Sequence, residues 1–196
     1  ITGSAADLKK VFAAYFGKAD GSEENTLKMK FTEKDPTSTV TGATAAAADI
    51  DAFNQQTSGL VTLAVAKITG TQANVKKVID ENDGAKITGA TGINIELTDE
   101  TIANLKTAKS YTTGTISGTL KNTQNTVALL KDIPSDGTAT IAVNATLDAT
   151  GVTTLNASDI IAINALTTGK ITIGSAVVNI KGVGADVSKV FTDSAA

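Results

Sequence analysis

Asp80-Glu-Asn-Asp83-Gly84 gathers carboxylates and an amide oxygen beside a glycine, the chemistry by which loops hold calcium. Asp80 and Asp83 are the candidate ligands. The spacing departs from the calcium loop of helix-loop-helix proteins. Gly84 falls where a third ligand belongs, and Thr91 stands where a bidentate Glu closes the site. A helix C-terminus finishing at Gly84 in the left-handed conformation explains the same residues without a metal, so no cofactor is expected and calcium is the lesser reading. Asp132-Ile-Pro134-Ser-Asp-Gly137 reads as an ordinary turn. Asp7, Asp159 and Asp186 are acidic residues at expected helix starts. There they complement the helix dipole and need no catalytic role.

The composition removes most other chemistry. Cys, His and Trp are absent, which excludes Cys-His and Ser-His-Asp nucleophiles and any thiolate or imidazole metal site within the chain. Every one of the 17 basic residues is lysine, and the formal net charge is −3. Without arginine the bidentate fork for phosphate is missing, and a net acidic chain is a poor nucleic-acid binder. No apolar run of about 18 residues occurs, so no membrane span is expected. Aromatics make up 4% against 41% hydrophobic residues overall, so the core must be aliphatic and thin. An enzyme is not expected; a polysaccharide lyase would need clustered carboxylates and a basic residue in one groove, and lysine alone would have to serve as the latter.

Three copies of one string organise the rest: ITGSAADLKKVF (1–12), ITGTQANVKKVI (68–79) and IKGVGADVSKVF (180–191). Behind each Ile-x-Gly runs an apolar spacing of i, i+3, i+4 through Leu8 and Val11, Val75 and Val78, or Val187 and Val190. That is a helical stripe. Related stripes lie at Ile50 and Phe53, Ile102 and Leu105, Val127 and Leu130, and Ile160 and Ile163. Between them stand Thr/Val/Ile stretches at 60–69, 86–97, 114–120, 138–147 and 170–181, which read as strands. Ser4, Thr71 and Asn156 are placed to cap helices, and Thr98, before Asp99 and Glu100, reads as a fourth cap.

Strand and helix thus alternate at about 24–34 residues, the range of solenoid repeats. The expected fold is α/β: a solenoid of stacked short strand plus short helix repeats with a parallel sheet. A right-handed parallel β-helix is the alternative, and a doubly wound globular domain a third. Each module is too thin to bury its own stripe and needs its neighbours. Residues 1–37 read as a first repeat helix plus a charged insertion or edge hairpin, with a short strand at Leu27 to Phe31; residues 38–196 read as the repeat array. An array that finishes on the string it began with, and has neither initiator Met nor signal peptide, reads as one stretch of a longer tandem.

The segment beginning Asp159-Ile-Ile-Ala-Ile-Asn-Ala-Leu-Thr-Thr-Gly, its echo Asp49-Ile-Asp-Ala-Phe-Asn-Gln-Gln-Thr-Ser-Gly, and the Ile-x-Gly-x-x-Ala-Asp-Val blocks resemble the repeats of very long cyanobacterial haemolysin-like and surface-layer proteins. The resemblance covers most of residues 38–196 and the first twelve, and leaves the charged segment outside. It implies an extracellular or cell-surface role, with calcium held in neighbouring modules of a kind whose nonapeptide is absent here. The expectation is a structural or interaction scaffold, adhesin-like and without chemistry of its own. Its partners are neighbouring repeats of a longer parent chain or further copies. A binding module for ice or carbohydrate on a threonine-rich face is the alternative, and aligned threonine rows would favour it.

Overall fold

A computed structural model describes residues 1–16, 37–135, 138–148 and 150–193. The charged hairpin expected at 17–37 lies outside these residues except for Thr37, as do Asp136 and Gly137 of the turn. The chain forms two compact units: Ile1–Glu96 with Tyr111–Gly114, and Leu97–Ser110 with Thr115–Ala196. It is α/β, and its strands pair mostly in parallel.

In the first unit β1 (Thr2–Gly3) leads into α1 (Ala5–Phe16), β2 (Ser38–Ala46) into α2 (Ala47–Asn54), and β3 (Val61–Gly70) into α3 (Gln72–Asp80). β4 (Ile87–Thr88) and the first residues of β5 (Asn94–Glu100) follow, both beside β3. Pairing runs in chain order: Ser38 faces Val61, and Val61 in turn faces Ile87. Strand alternation puts Val40, Val61 and Leu63 inward, where the helices cover them. Phe12 and Phe53 meet edge to face, ring centroids 4.9 Å apart and planes at 80°, both fully buried. Such a pair adds to its area burial the attraction of ring edge for ring face.

The second unit repeats the plan. β5 ends in it; then come α4 (Ile102–Ala108), β6 (Thr115–Leu120), α5 (Val127–Leu130), β7 (Thr140–Leu147), β8 (Thr154–Asn156) and α6 (Ala157–Asn164). β9 (Ile171–Ile173), β10 (Asn179–Lys181) and α7 (Gly184–Asp193) close it. β6 pairs with β7 from Thr115 and Thr140, β7 with β9 from Ala145 and Ile171, and β8 with β10 from Thr154 and Asn179. The separation along the chain is nearly the same each time.

All seven expected helices stand where the stripes put them, which removes the reason for the β-helix alternative. Two strand expectations are corrected. The stretch 86–97 is broken by Gly89, at φ +89°, into β4 and β5. The stretch 170–181 breaks at 174–178 into β9 and β10. β1, β2 and β8 had no strand expectation of their own. Two caps are corrected as well. Thr98 lies inside β5, and Thr101 caps α4 instead, accepting from the Asn104 N–H at 3.2 Å. Asn156 stands at the N-cap of α6 without a side-chain cap bond and donates to Asp159 Oδ2 at 3.0 Å. Ser4 and Thr71 cap as expected, accepting from the N–H groups of Asp7 and Asn74 at 3.1 and 3.4 Å.

Candidate functional site

The structure holds Asp80 and Asp83 to separate tasks. Asp80 Oδ2 accepts from Lys76 Nζ at 2.5 Å, an exposed pair one helical turn apart that raises the lysine's pKa. Asp83 Oδ1 accepts from the N–H groups of Ala85 and Lys86 at 2.8 and 3.1 Å, and these bonds hold its carboxyl below the usual carboxylate range. Asn82, the amide of the motif, accepts from the Ala90 N–H and donates to Thr91 Oγ1. Gly84 turns the chain at φ +81° a few residues past the end of α3. Among the described residues no group of three or more His, Cys, Asp or Glu side chains is placed to hold a metal.

What recurs instead is a seam between one strand-helix pass and the next. Three helices bury the first, fourth and seventh positions of a shared segment: Ala47, Ile50 and Phe53 in α2; Ile102, Leu105 and Ala108 in α4; Ala157, Ile160 and Ile163 in α6. Shortly after each, the chain reads Thr-Ser-Gly or Thr-Thr-Gly: 57–59, 112–114 and 167–169. The threonine is buried every time, and its Oγ1 accepts from the glycine N–H at 2.9–3.0 Å. In the first unit Thr112 Oγ1 also donates to the Ile93 carbonyl at 2.5 Å. In the second, Thr167 Oγ1 donates to the Val143 carbonyl at 2.9 Å. One hydroxyl therefore closes its own turn and ties it to the pass before, at Ile93 just ahead of β5 and at Val143 within β7. A buried hydroxyl without such partners would cost free energy, so the arrangement specifies threonine.

The glycine is specified by space. A Cβ on Gly114 would stand 2.6 Å from the Gly92 carbonyl oxygen, and one on Gly169 would collide with that of Val143. The Ile-x-Gly strings obey a second contact. Gly70 (φ +153°) and Gly182 (φ +157°) would carry a Cβ only 3.3 and 3.2 Å from the Cβ of Ala47 and Ala157, the first residues of the preceding helices. The string at 1–12 is set differently, since Thr2 pairs at Thr39, well before α2 begins.

Charge reinforces the seams on the helix side. Lys9 of α1 pairs with Asp49 of α2, Lys106 of α4 with Asp132 at 2.7 Å, and Lys131 after α5 with Asp159 of α6 at 2.5 Å. In these three the lysine belongs to the earlier pass; between α2 and α3 the order is reversed, with Lys77 reaching back to Asp51 at 3.1 Å. Lys131 and then Asn156 hold the Asp159 carboxyl below its ordinary range. All three pairs are partly solvated, so each contributes modestly.

Of the sequence candidates, Asp7, Asp159 and Asp186 sit in first helical turns. The threonine of the seam was missed as a functional residue. Its signal was present, because Thr-Ser-Gly and Thr-Thr-Gly close the Asp49 and Asp159 segments alike. The third copy, Ile102–Gly114, is harder to see because Asn104 and Ala108 replace the acid and the large apolar residue. No family model, no curated protein and no solved structure matches this chain.

Proposed function

We propose that the chain is a scaffold segment of a long bacterial surface or secreted repeat protein: an α/β solenoid that spaces or displays and performs no chemistry of its own. The observation that carries this reading is the seam, the same buried hydroxyl joining successive passes at Thr112 and Thr167. Strand pairing in chain order at near-constant offset supports the solenoid. The resemblance to cyanobacterial surface repeats supports the location. The partners in this reading are neighbouring repeats.

A quasi-one-dimensional stack opens pass by pass, whereas a domain with one shared core opens as a whole. Native-state hydrogen exchange is expected to show stepwise opening energies along the chain. One common opening energy for every buried amide, from Val40 to Val190, would overturn the solenoid.

A second reading rests on a row of threonines. In the first unit Thr2, Thr39, Thr62 and Thr88 stand in register on four successive strands, one threonine per strand, at the roughly 4.8 Å spacing of paired strands. Such a row suits a regular, hydroxyl-ordered surface such as ice or a glycan chain. Thr2 is exposed and Thr39, Thr62 and Thr88 are half-buried; Thr62→Lys interrupts the row on the face away from Val61 and Leu63, and an ice- or glycan-retention assay unaffected by that change would dismiss the binding reading.

A further inference from the structure

The α2–β3–α3 block of the first unit and the α6–β9–β10–α7 block of the second are built alike. Ala47 corresponds to Ala157, Thr57 to Thr167, Val61 to Ile171 and Ile68 to Ile180, and both blocks share the glycine-on-alanine contact. They differ in how the chain goes on. In the first, Ile87–Thr88 pairs with Val61–Thr62, Glu81 Oε2 accepts from Asn54 Nδ2, and Val61, Ile68 and Val75 are fully buried. In the second, β9 ends its ladder and β10 pairs with β8 alone among the described residues.

The apolar residues of that end are open to match. Ile171, Ile173, Ile180 and Val187 are half-buried. Val178, Val183 and Phe191 are 72%, 67% and 60% exposed. A cleft of about 670 Å³ lies among Ile160, Ile171, Ile173 and Val190, and is also lined by Asn164 and Asp193. These two occupy the positions of Asn54 and Glu81. Where the first block has its next pass, the second has this cleft.

We propose that this end is a seat for one more pass of the chain's own kind, of the sequence type Glu81–Gly114. An Ile-Thr strand would add in parallel to Ile171–Thr172, and a Thr-Thr-Gly turn would follow its helix. The added pass continues a seam already formed within the molecule, and its assignment rests on the scaffold reading. Self-association through the same face is the competing occupant. It is disfavoured because the cleft repeats the setting of the chain's own next pass, with Asn164 and Asp193 where Asn54 and Glu81 stand in the first block.

The test joins residues Glu81–Gly114 to Thr192, the counterpart of Asp80, in the otherwise full chain. The chain has no Trp, so Ile173→Trp, at a half-buried residue that lines the cleft, reports the seat. The expected result is bluer emission in the extended chain than in the unextended one, with the Val187 and Val190 amides exchanging about tenfold more slowly. Unchanged emission, with the added segment open to trypsin, overturns the proposal. Phe191→Trp, beside the cleft residue Val190, gives a second reporter should Ile173→Trp disturb folding. Mass growth of the unextended chain with concentration in light scattering also overturns it, by assigning the seat to a second copy. Exchange on the unextended chain tests the scaffold separately, so the seat can fail while the scaffold stands.

Discussion

Phe53→Ala lowers the unfolding free energy by about 3–5 kcal/mol, the range for truncating a buried aromatic. The chain has five Phe, and Phe53 is fully buried with its ring against that of Phe12. α2 is packed between α1 and α3, so the space left by the ring is walled by helices whose own strands hold them in place. Little collapse can follow, and the cavity term adds to the lost transfer energy. Urea unfolding followed by far-UV circular dichroism measures the change. The control is Phe191→Ala, which removes a ring that is 60% exposed and is expected to cost less than about 1 kcal/mol. Equal losses at the two positions would mean that the helices α1 to α3 do not form the packed layer described.

Gly169→Ala is expected to cost about 2–3 kcal/mol, the range for forcing atoms into a filled interior. The added carbon would fall on the Val143 carbonyl and stand 2.9 Å from the Ala142 carbonyl carbon. Relief requires the turn to withdraw from the strand before it. That movement breaks the bond from Thr167 Oγ1 to the same Val143 carbonyl. Gly184→Ala is the matched control, since nothing lies within 4 Å of a Cβ there and the residue opens α7. It is expected to be neutral or stabilising by up to about 1 kcal/mol. A shift of the urea midpoint as small for Gly169→Ala as for Gly184→Ala would show that the seam is slack.

The helices were legible because their stripes are local. Leu8 to Phe12 or Ile160 to Ile163 declare a buried face within one or two turns, and capping by Ser4 or Thr71 needs only neighbours. β2 was not legible. Ser38-Thr-Val-Thr-Gly-Ala-Thr-Ala-Ala46 carries its strand signal, Val40 and three threonines, diluted by Gly42 and three alanines, and becomes a strand because β1 and β3 flank it. Thr98 shows the same override in reverse. Thr-Asp-Glu has the composition of a helix start, yet β5 runs on through Glu100, and Glu100 is buried with its carboxylate accepting from Asn104 Nδ2. The seam lay between these cases. Its threonines and glycines were visible, but their spacing carries meaning only once the preceding carbonyl is known.

The short reach of every ladder has a consequence for how the chain acquires its structure. Ser38 finds its parallel partner at Val61, Thr115 at Thr140, and Thr2, which reaches farthest, at Thr39. Parallel pairing usually slows folding because distant segments must find each other. Here each of these searches stays local wherever it starts. A nascent chain can complete each one soon after its residues leave the ribosome, without waiting for a distant terminus.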